Sequence, residues 1–341
     1  MYEVTAGKKR DQNLDALRAL AILLVLFYHS PLELGYCASL LKTNGGLGVQ
    51  LFFVLSGFLI GGIFFREITR QDFSLLHFWS RRWLRTIPPY IALVAIWWLG
   101  NRIAGRSKTL DWSYLCFLQN YLMPLEIRDM PFTWSLCVEE HFYLVAPILL
   151  LFFHKSPARM FCFLGLALLP ITFRLCGCGE YSMSHLQFDG LIYGVCIAYL
   201  QVRSPESFAV MQRWCRCVLP ISLLGFVLLL LFASEMGRLV FANLIFSVWL
   251  LALVGQEPIW IARSSVTYWI AVTSFSCYLI HGYTFETARR LCGDTAWPLR
   301  FAVYCGGTVL CTALFYFVVE RGSLWLRELV SPAVKARRAS N

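Results

Sequence analysis

The sequence predicts an all-α, polytopic membrane protein of about ten transmembrane helices, with both termini in the cytoplasm. Three observations lead there. Of its 341 residues, 58% are hydrophobic and 15% charged, against about 25% charged in soluble domains, and the mean hydropathy is +0.61. Apolar runs of about 18 residues or more recur from end to end, long enough to cross a hydrocarbon core as helices. With ten spans, nineteen Lys and Arg fall on the side of the basic N-terminus and nine on the other, setting aside Arg18 and Arg174 within helices. That asymmetry is the positive-inside pattern. A membrane β-barrel is excluded, because the apolar runs are continuous and do not alternate.

In chain order, a polar tail (1–13) carries Lys8, Lys9 and Arg10 and shows no cleavable signal pattern. Spans are expected at 14–34, 46–65, 86–104, 132–153, 159–176, 185–201, 217–234, 238–256, 266–285 and 299–320. A basic tail follows at 322–341. The stretch LDWSYLCFLQNYLMP, 110–124, is apolar but short. Reading it as a full span moves Lys155, Arg159, Arg203, Arg213 and Arg216 outside, so a re-entrant or interfacial helix is expected there. No internal repeat and no long linker interrupts 14–321, which reads as one membrane domain.

Charge and cysteine content narrow the partners. The net charge of +10 reads as cytoplasmic anchoring against the bilayer and calls for no nucleic acid. Thirteen cysteines lie mostly in apolar runs, where Cys behaves as a small hydrophobe. Their spacing indicates neither a disulfide framework nor a metal site. In span two, Gly57, Gly61 and Gly62 suit close approach of another helix, and Ser56 beside them suits inter-helix hydrogen bonding or a ligand contact.

The chemistry starts at DALRALAILLVLFYH, 15–29. Arg18 and His29 are eleven helical steps apart, about 1100°, which puts them on one stripe ~16 Å apart along the axis. Ionisable residues within membrane helices are functional candidates by default. His29, Glu139, Asp189 and His281 come from four different spans and fall at similar depth toward the outer side. Each alone also reads as a buried polar group satisfied by a neighbouring helix. Together they suggest acid–base chemistry, with His29 and Glu139 as the preferred pair, because a carboxylate fixes the tautomer of an imidazole that takes a proton from a hydroxyl. Glu140 and His141 follow directly but diverge by about 100° per residue. On the cytoplasmic side, HFWSRRWLRTIPPY places Arg82 and Arg85 on one helix face, with Pro88–Pro89 marking the start of span three. Such a pair suits phosphate groups or lipid headgroups, and Trp79 and Trp83 read as interfacial residues.

Taken together, Arg18 with His29, LFFVLSGFLI, RRWLRTIPPY, WSLCVEEHFYLVAP, FDGLIYG, CYLIH and VVER resemble the acyltransferase-3 family of bacterial membrane acyltransferases. The blocks occur in the family's order from residue 14 to about 321. The resemblance implies a multi-pass protein of the bacterial inner membrane. It would transfer an acyl group, usually acetyl from acetyl-CoA, to a sugar hydroxyl of a glycolipid, lipopolysaccharide or polysaccharide. It assigns Arg18 and His29 as essential, Arg82 and Arg85 to the CoA phosphates, Glu139 as the conserved carboxylate, and matches Tyr278 and His281. Before Asp189 the family often has Arg where this chain has Gln187 and Phe188. No extracytoplasmic hydrolase-like domain is evident, so any periplasmic partner is expected to be a separate protein. Two other readings compete: a small-solute or proton-coupled transporter using the same buried groups, and a membrane acyltransferase with a His–Asn pair, for which Asn101, Asn120 and Asn243 lie in no matching block.

Overall fold

The computed structural model describes residues 10–32, 39, 43–124, 127–153, 159–232, 235–293 and 295–330. Lys155, most of the tail 1–13, much of the loop 33–45 and the tail beyond 330 lie outside them. The helices are α1 (Gln12–Tyr28), α2 (Leu47–Thr69), α3 (Leu75–Ile103), α4 (Trp134–Phe153), α5 (Arg159–Leu175), α6 (Phe188–Arg203), α7 (Pro205–Phe232), α8 (Glu235–Leu253), α9 (Ser265–Val272), α10 (Ser274–Cys292), α11 (Trp297–Phe315) and α12 (Arg321–Val330). Among the described residues, four helical stretches are long and apolar enough to cross a membrane: Leu47–Thr69, Pro131–Phe152, Pro205–Phe232 and Trp297–Glu328.

The chain gathers into two compact units. The first draws on Met1–Tyr28, Glu33–Gly62 and Gly190–Ser274, the second on His29–Leu32, Ile63–Asp189 and Phe275–Asn341.

In the first unit, α1 begins where Asp11 Oδ1 accepts the N–H groups of Asn13 and Leu14, at 3.0 and 3.2 Å. This is an N-cap that satisfies two donors left open by helix geometry. Buried Asn13 then donates to the carbonyls of Leu253, Gln256 and Glu257 and accepts from Ile259 N–H. One side chain thus ties α1 to the turn that follows α8. The small-residue face of α2 is used for packing. A Cβ on Gly57 would overlap the Leu191 carbonyl oxygen, and one on Gly194 would overlap that of Val54, so α2 and α6 meet backbone to backbone. On α7, Ile221, Leu223, Leu224, Val227 and Leu228 point outward and exposed, the apolar surface a bilayer would cover.

Three sequence expectations change. The first span was expected to run to residue 34, but α1 ends at Tyr28. Pro31 carries no N–H and biases Ser30 away from helical backbone. His29 is therefore the first residue past the helix. Second, α3 does not begin at Pro88–Pro89. It begins at Leu75, with Ser74 as N-cap, and continues through both prolines. Arg82 and Arg85 lie inside its first half, and neither proline can donate to the backbone carbonyl one turn earlier. Third, the stretch 266–285 is interrupted at Thr273. There the Thr273 and Ser274 hydroxyls take the carbonyls of Trp269 and Ala271, both at 2.9 Å, competing with the helical backbone.

In the second unit, 110–124 holds no long helix. It contains a 3₁₀ turn at Trp112–Tyr114, capped by Asp111, and one α-turn at Gln119–Leu122. The Ser113 N–H and hydroxyl keep the Asp111 carboxyl below its ordinary range. Buried polar side chains stitch the segment down. Asn120 donates to the Trp134 and Ser182 carbonyls, both at 2.7 Å, and Gln119 to the hydroxyls of Tyr90 and Thr133. At the other end of this unit, α11 passes through a π-helical turn, Tyr316–Glu320, into α12.

Candidate active site

The termination of α1 at Tyr28 delivers His29 into the second unit, where its ring meets that of His281 on α10. The centroids are 4.7 Å apart and the planes 63° from parallel. His281 is fully buried. Its Nδ1 lies 2.5 Å from the Tyr278 carbonyl oxygen. A carbonyl only accepts, so Nδ1 carries the proton, and in the neutral ring Nε2 holds the lone pair. That Nε2 has no hydrogen-bond partner among the described residues.

Tyr278, one turn earlier on α10, closes the site toward α4. Its hydroxyl donates to the Phe132 carbonyl at 2.6 Å and accepts from the Ser135 hydroxyl at 2.6 Å. The Phe132 ring packs edge-on to His281, with centroids 5.2 Å apart. Gly282 makes room for it, since a Cβ there would come within 2.6 Å of the Phe132 ring. Glu139 lies one turn beyond Ser135 on the same face of α4 and is a charge neighbour of Tyr278. Glu139 reaches the cluster from the Tyr278 side.

Asp189 is engaged elsewhere. Fully buried at the start of α6, its two oxygens receive Arg174 at 2.7 and 3.2 Å, and Arg174 also donates to the Leu186 carbonyl. The guanidinium that meets Asp189 comes from α5. Gln187 instead donates to the Tyr181 carbonyl at 2.7 Å.

A second group surrounds the arginines of α3. The Arg82 guanidinium lies over the Tyr143 ring, 4.6 Å from its centroid, and 3.4 Å from its hydroxyl. Glu140, buried on α4, bonds the side chains of Thr86 and Trp83 and is a charge neighbour of Arg82. Trp79 and Trp83 stack with centroids 5.8 Å apart, and the Trp79 indole donates to the Tyr143 carbonyl. Arg85 is the charge neighbour of Glu320, in the π-helical turn. The 100° between Glu139 and Glu140 therefore sends one carboxylate toward Tyr278 and the other toward α3.

The remaining candidates belong to the first unit. Arg18 is held by Asp15 at 2.9 Å, and Asp15 also binds Arg10. Ser56 is buried on α2 beside Gly57. Among the described residues no group of His, Cys, Asp and Glu is arranged to hold a metal ion. The sequence assigns no site role to Ser135, Glu140, Arg174 or Glu320. Of these, Ser135 and Glu140 stood inside the quoted WSLCVEEH block, and Glu320 inside VVER.

The family model described as an acyltransferase domain (acyltransferase 3) matches residues 11–317. The chain belongs to the acyltransferase-3 family. The peptidoglycan O-acetyltransferase OatA of Listeria monocytogenes is 27% identical over 319 residues, covering 81% of this chain and 49% of the relative. The O-acetyltransferase OatA of Staphylococcus aureus (strain NCTC 8325 / PS 47) is 32% identical over 162 residues, covering 43% of this chain and 26% of the relative. The chain thus spans about half, or less, of the curated relatives it matches. No solved structure matches it. Family and apolar helices together make it a multi-pass membrane protein.

Proposed function

We propose that the protein is a membrane O-acetyltransferase that moves an acetyl group from acetyl-CoA to a hydroxyl of a cell-envelope glycan. The observation that carries this reading is the His29–His281 pair, two imidazoles in edge contact with one tautomer set by the Tyr278 carbonyl. In the transfer, a sugar oxygen attacks the thioester carbonyl, its proton passes to imidazole, the C–S bond breaks, and the proton goes to the departing thiolate. His29, half-buried, is the base that faces substrate. His281 stabilises the proton on it through its free Nε2, and Glu139 with Tyr278 balances the charge that forms.

Arg82 and Arg85 are the donor residues in this reading, because guanidinium forks match the phosphates of CoA. The role of Arg18 rests on its sequence pairing with His29. Ten spans with both termini cytoplasmic put α3's arginines on the donor side. Asp189, bound by Arg174, shapes the start of α6 on the acceptor side. Peptidoglycan is the first acceptor to test, given the name of the Listeria relative.

The test uses everted vesicles carrying the full chain and acetyl-labelled acetyl-CoA, with alkali-labile label recovered from purified envelope glycan. Label that depends on His29 supports the reading. Label equal in His29→Ala and wild-type vesicles at matched protein level would sink it.

A further inference from the structure

Glu320 has no exposed surface, and a buried carboxylate is costly unless donors or a cation meet it. Two donors come from α10: the Ser276 N–H at 3.2 Å and the Ser276 hydroxyl, both to Oε2. Ser276 lies in the first turn of that helix, where N–H groups lack intrahelical partners and the helix end is positive. Glu320 therefore caps the helix that carries Tyr278 and His281. Its other oxygen, Oε1, has no hydrogen-bond partner among the described residues. The segment presenting it is a π-helical turn, which widens the helix by one residue and recurs at functional sites. That turn and α12 pack against α3, and Arg85 of α3 is the cation within electrostatic reach of the carboxylate.

We propose that Glu320 is the positioning residue for Arg85 in donor binding, and that it couples this arginine to the N-terminus of the helix bearing His281. The proposal rests on the reading that Arg82 and Arg85 receive the phosphates of CoA. An arginine held in place before the donor arrives loses less side-chain freedom on binding. Glu320 touches neither donor nor acceptor, and its effect on donor affinity runs through Arg85.

The test is a double-mutant cycle on the purified full chain in nanodiscs, read as the Kd for coenzyme A, with acetyl transfer in everted vesicles as the second readout. Glu320→Gln keeps the shape and the contact to Ser276 but removes the charge. It is expected to weaken coenzyme A binding about tenfold while leaving the transfer rate per protein at saturating acetyl-CoA near that of wild type. Glu320→Asp, which restores the charge, recovers most of the affinity. Arg85→Gln combined with Glu320→Gln binds no more weakly than Arg85→Gln alone, because the second change has nothing left to act on. Unchanged affinity in Glu320→Gln, or losses that multiply in the double variant, overturns the proposal and leaves the donor site standing. Wild-type affinity in Arg85→Gln overturns both. If Glu320→Gln does not accumulate, Glu320→Asp carries the test alone: a loss of about threefold, abolished in the Arg85→Gln background, supports the coupling, and its persistence there refutes it.

Discussion

The imidazoles of His29 and His281 meet edge to face with centroids 4.7 Å apart, although 251 residues separate them in the chain. The contact depends on two local events. Pro31 stops α1 so that His29 can turn away from the helix, and the Tyr278 carbonyl orients the His281 ring.

Removing either imidazole is expected to suppress transfer. A positioned general base typically contributes 10²–10⁴-fold (~3–5 kcal/mol), so His29→Ala is expected to lower label incorporation by about that factor. His281→Asn, which keeps a donor for the Tyr278 carbonyl but has no basic nitrogen, is expected to lose about 10-fold to 100-fold with normal accumulation. A wild-type rate in His281→Asn would confine the proton chemistry to His29 and its carboxylate neighbours.

Tyr278→Phe deletes the hydroxyl that joins Phe132 to Ser135. Buried hydrogen bonds contribute about 1 kcal/mol each, and the orphaned Phe132 carbonyl and Ser135 hydroxyl add to the loss. The variant is expected to melt several degrees lower in detergent, by roughly 2 kcal/mol, with transfer reduced because the Phe132 ring against His281 is no longer anchored. Ser135→Ala removes one of these bonds and is expected to fall between. Differential scanning fluorimetry of the three proteins orders them, and Ser135→Ala melting below Tyr278→Phe would contradict the assignment.

Much of this was legible in the sequence, for physical reasons. Gly57 announces close helix contact because only hydrogen fits where two backbones meet. Arg82 and Arg85 share a face because three residues is nearly one turn. The end of α1 was also written in the chain, at Ser30–Pro31, but Leu32 and Leu34 beyond it made the span look longer. Glu320 and Arg174 were not legible. The partner of a buried charge is set by tertiary packing, and local spacing says nothing about Ser276 or Asp189.

The Arg174–Asp189 pair is buried and bidentate. Breaking one side of such a pair leaves an uncompensated charge and costs about 3–5 kcal/mol, whereas replacing both sides with apolar groups is often tolerated. Asp189→Ala and Arg174→Ala are each expected to reduce accumulation sharply. Arg174→Met with Asp189→Leu is expected to restore accumulation, measured by detergent-solubilised yield and melting temperature. If the restored double variant also transfers acetyl normally, Asp189 serves the fold. If it accumulates without transferring, the pair serves the acceptor as well.

A glycine series tests the contact between α2 and α6. On Gly57 a Cβ would overlap the Leu191 carbonyl oxygen, a backbone atom that cannot swing aside. Gly57→Ala must therefore push two helices apart, a shift that costs about 1–3 kcal/mol in a packed interior. At Gly61 the closest atom is the Ala198 Cβ at 3.0 Å, so Gly61→Ala is expected to cost less. Gly225 on α7 faces nothing within 4 Å, and alanine there improves helix propensity by up to about 1 kcal/mol. Melting temperatures are expected to rank Gly225→Ala at or above wild type, then Gly61→Ala, then Gly57→Ala. Gly57→Ala melting with wild type would mean that α2 and α6 do not meet at Leu191.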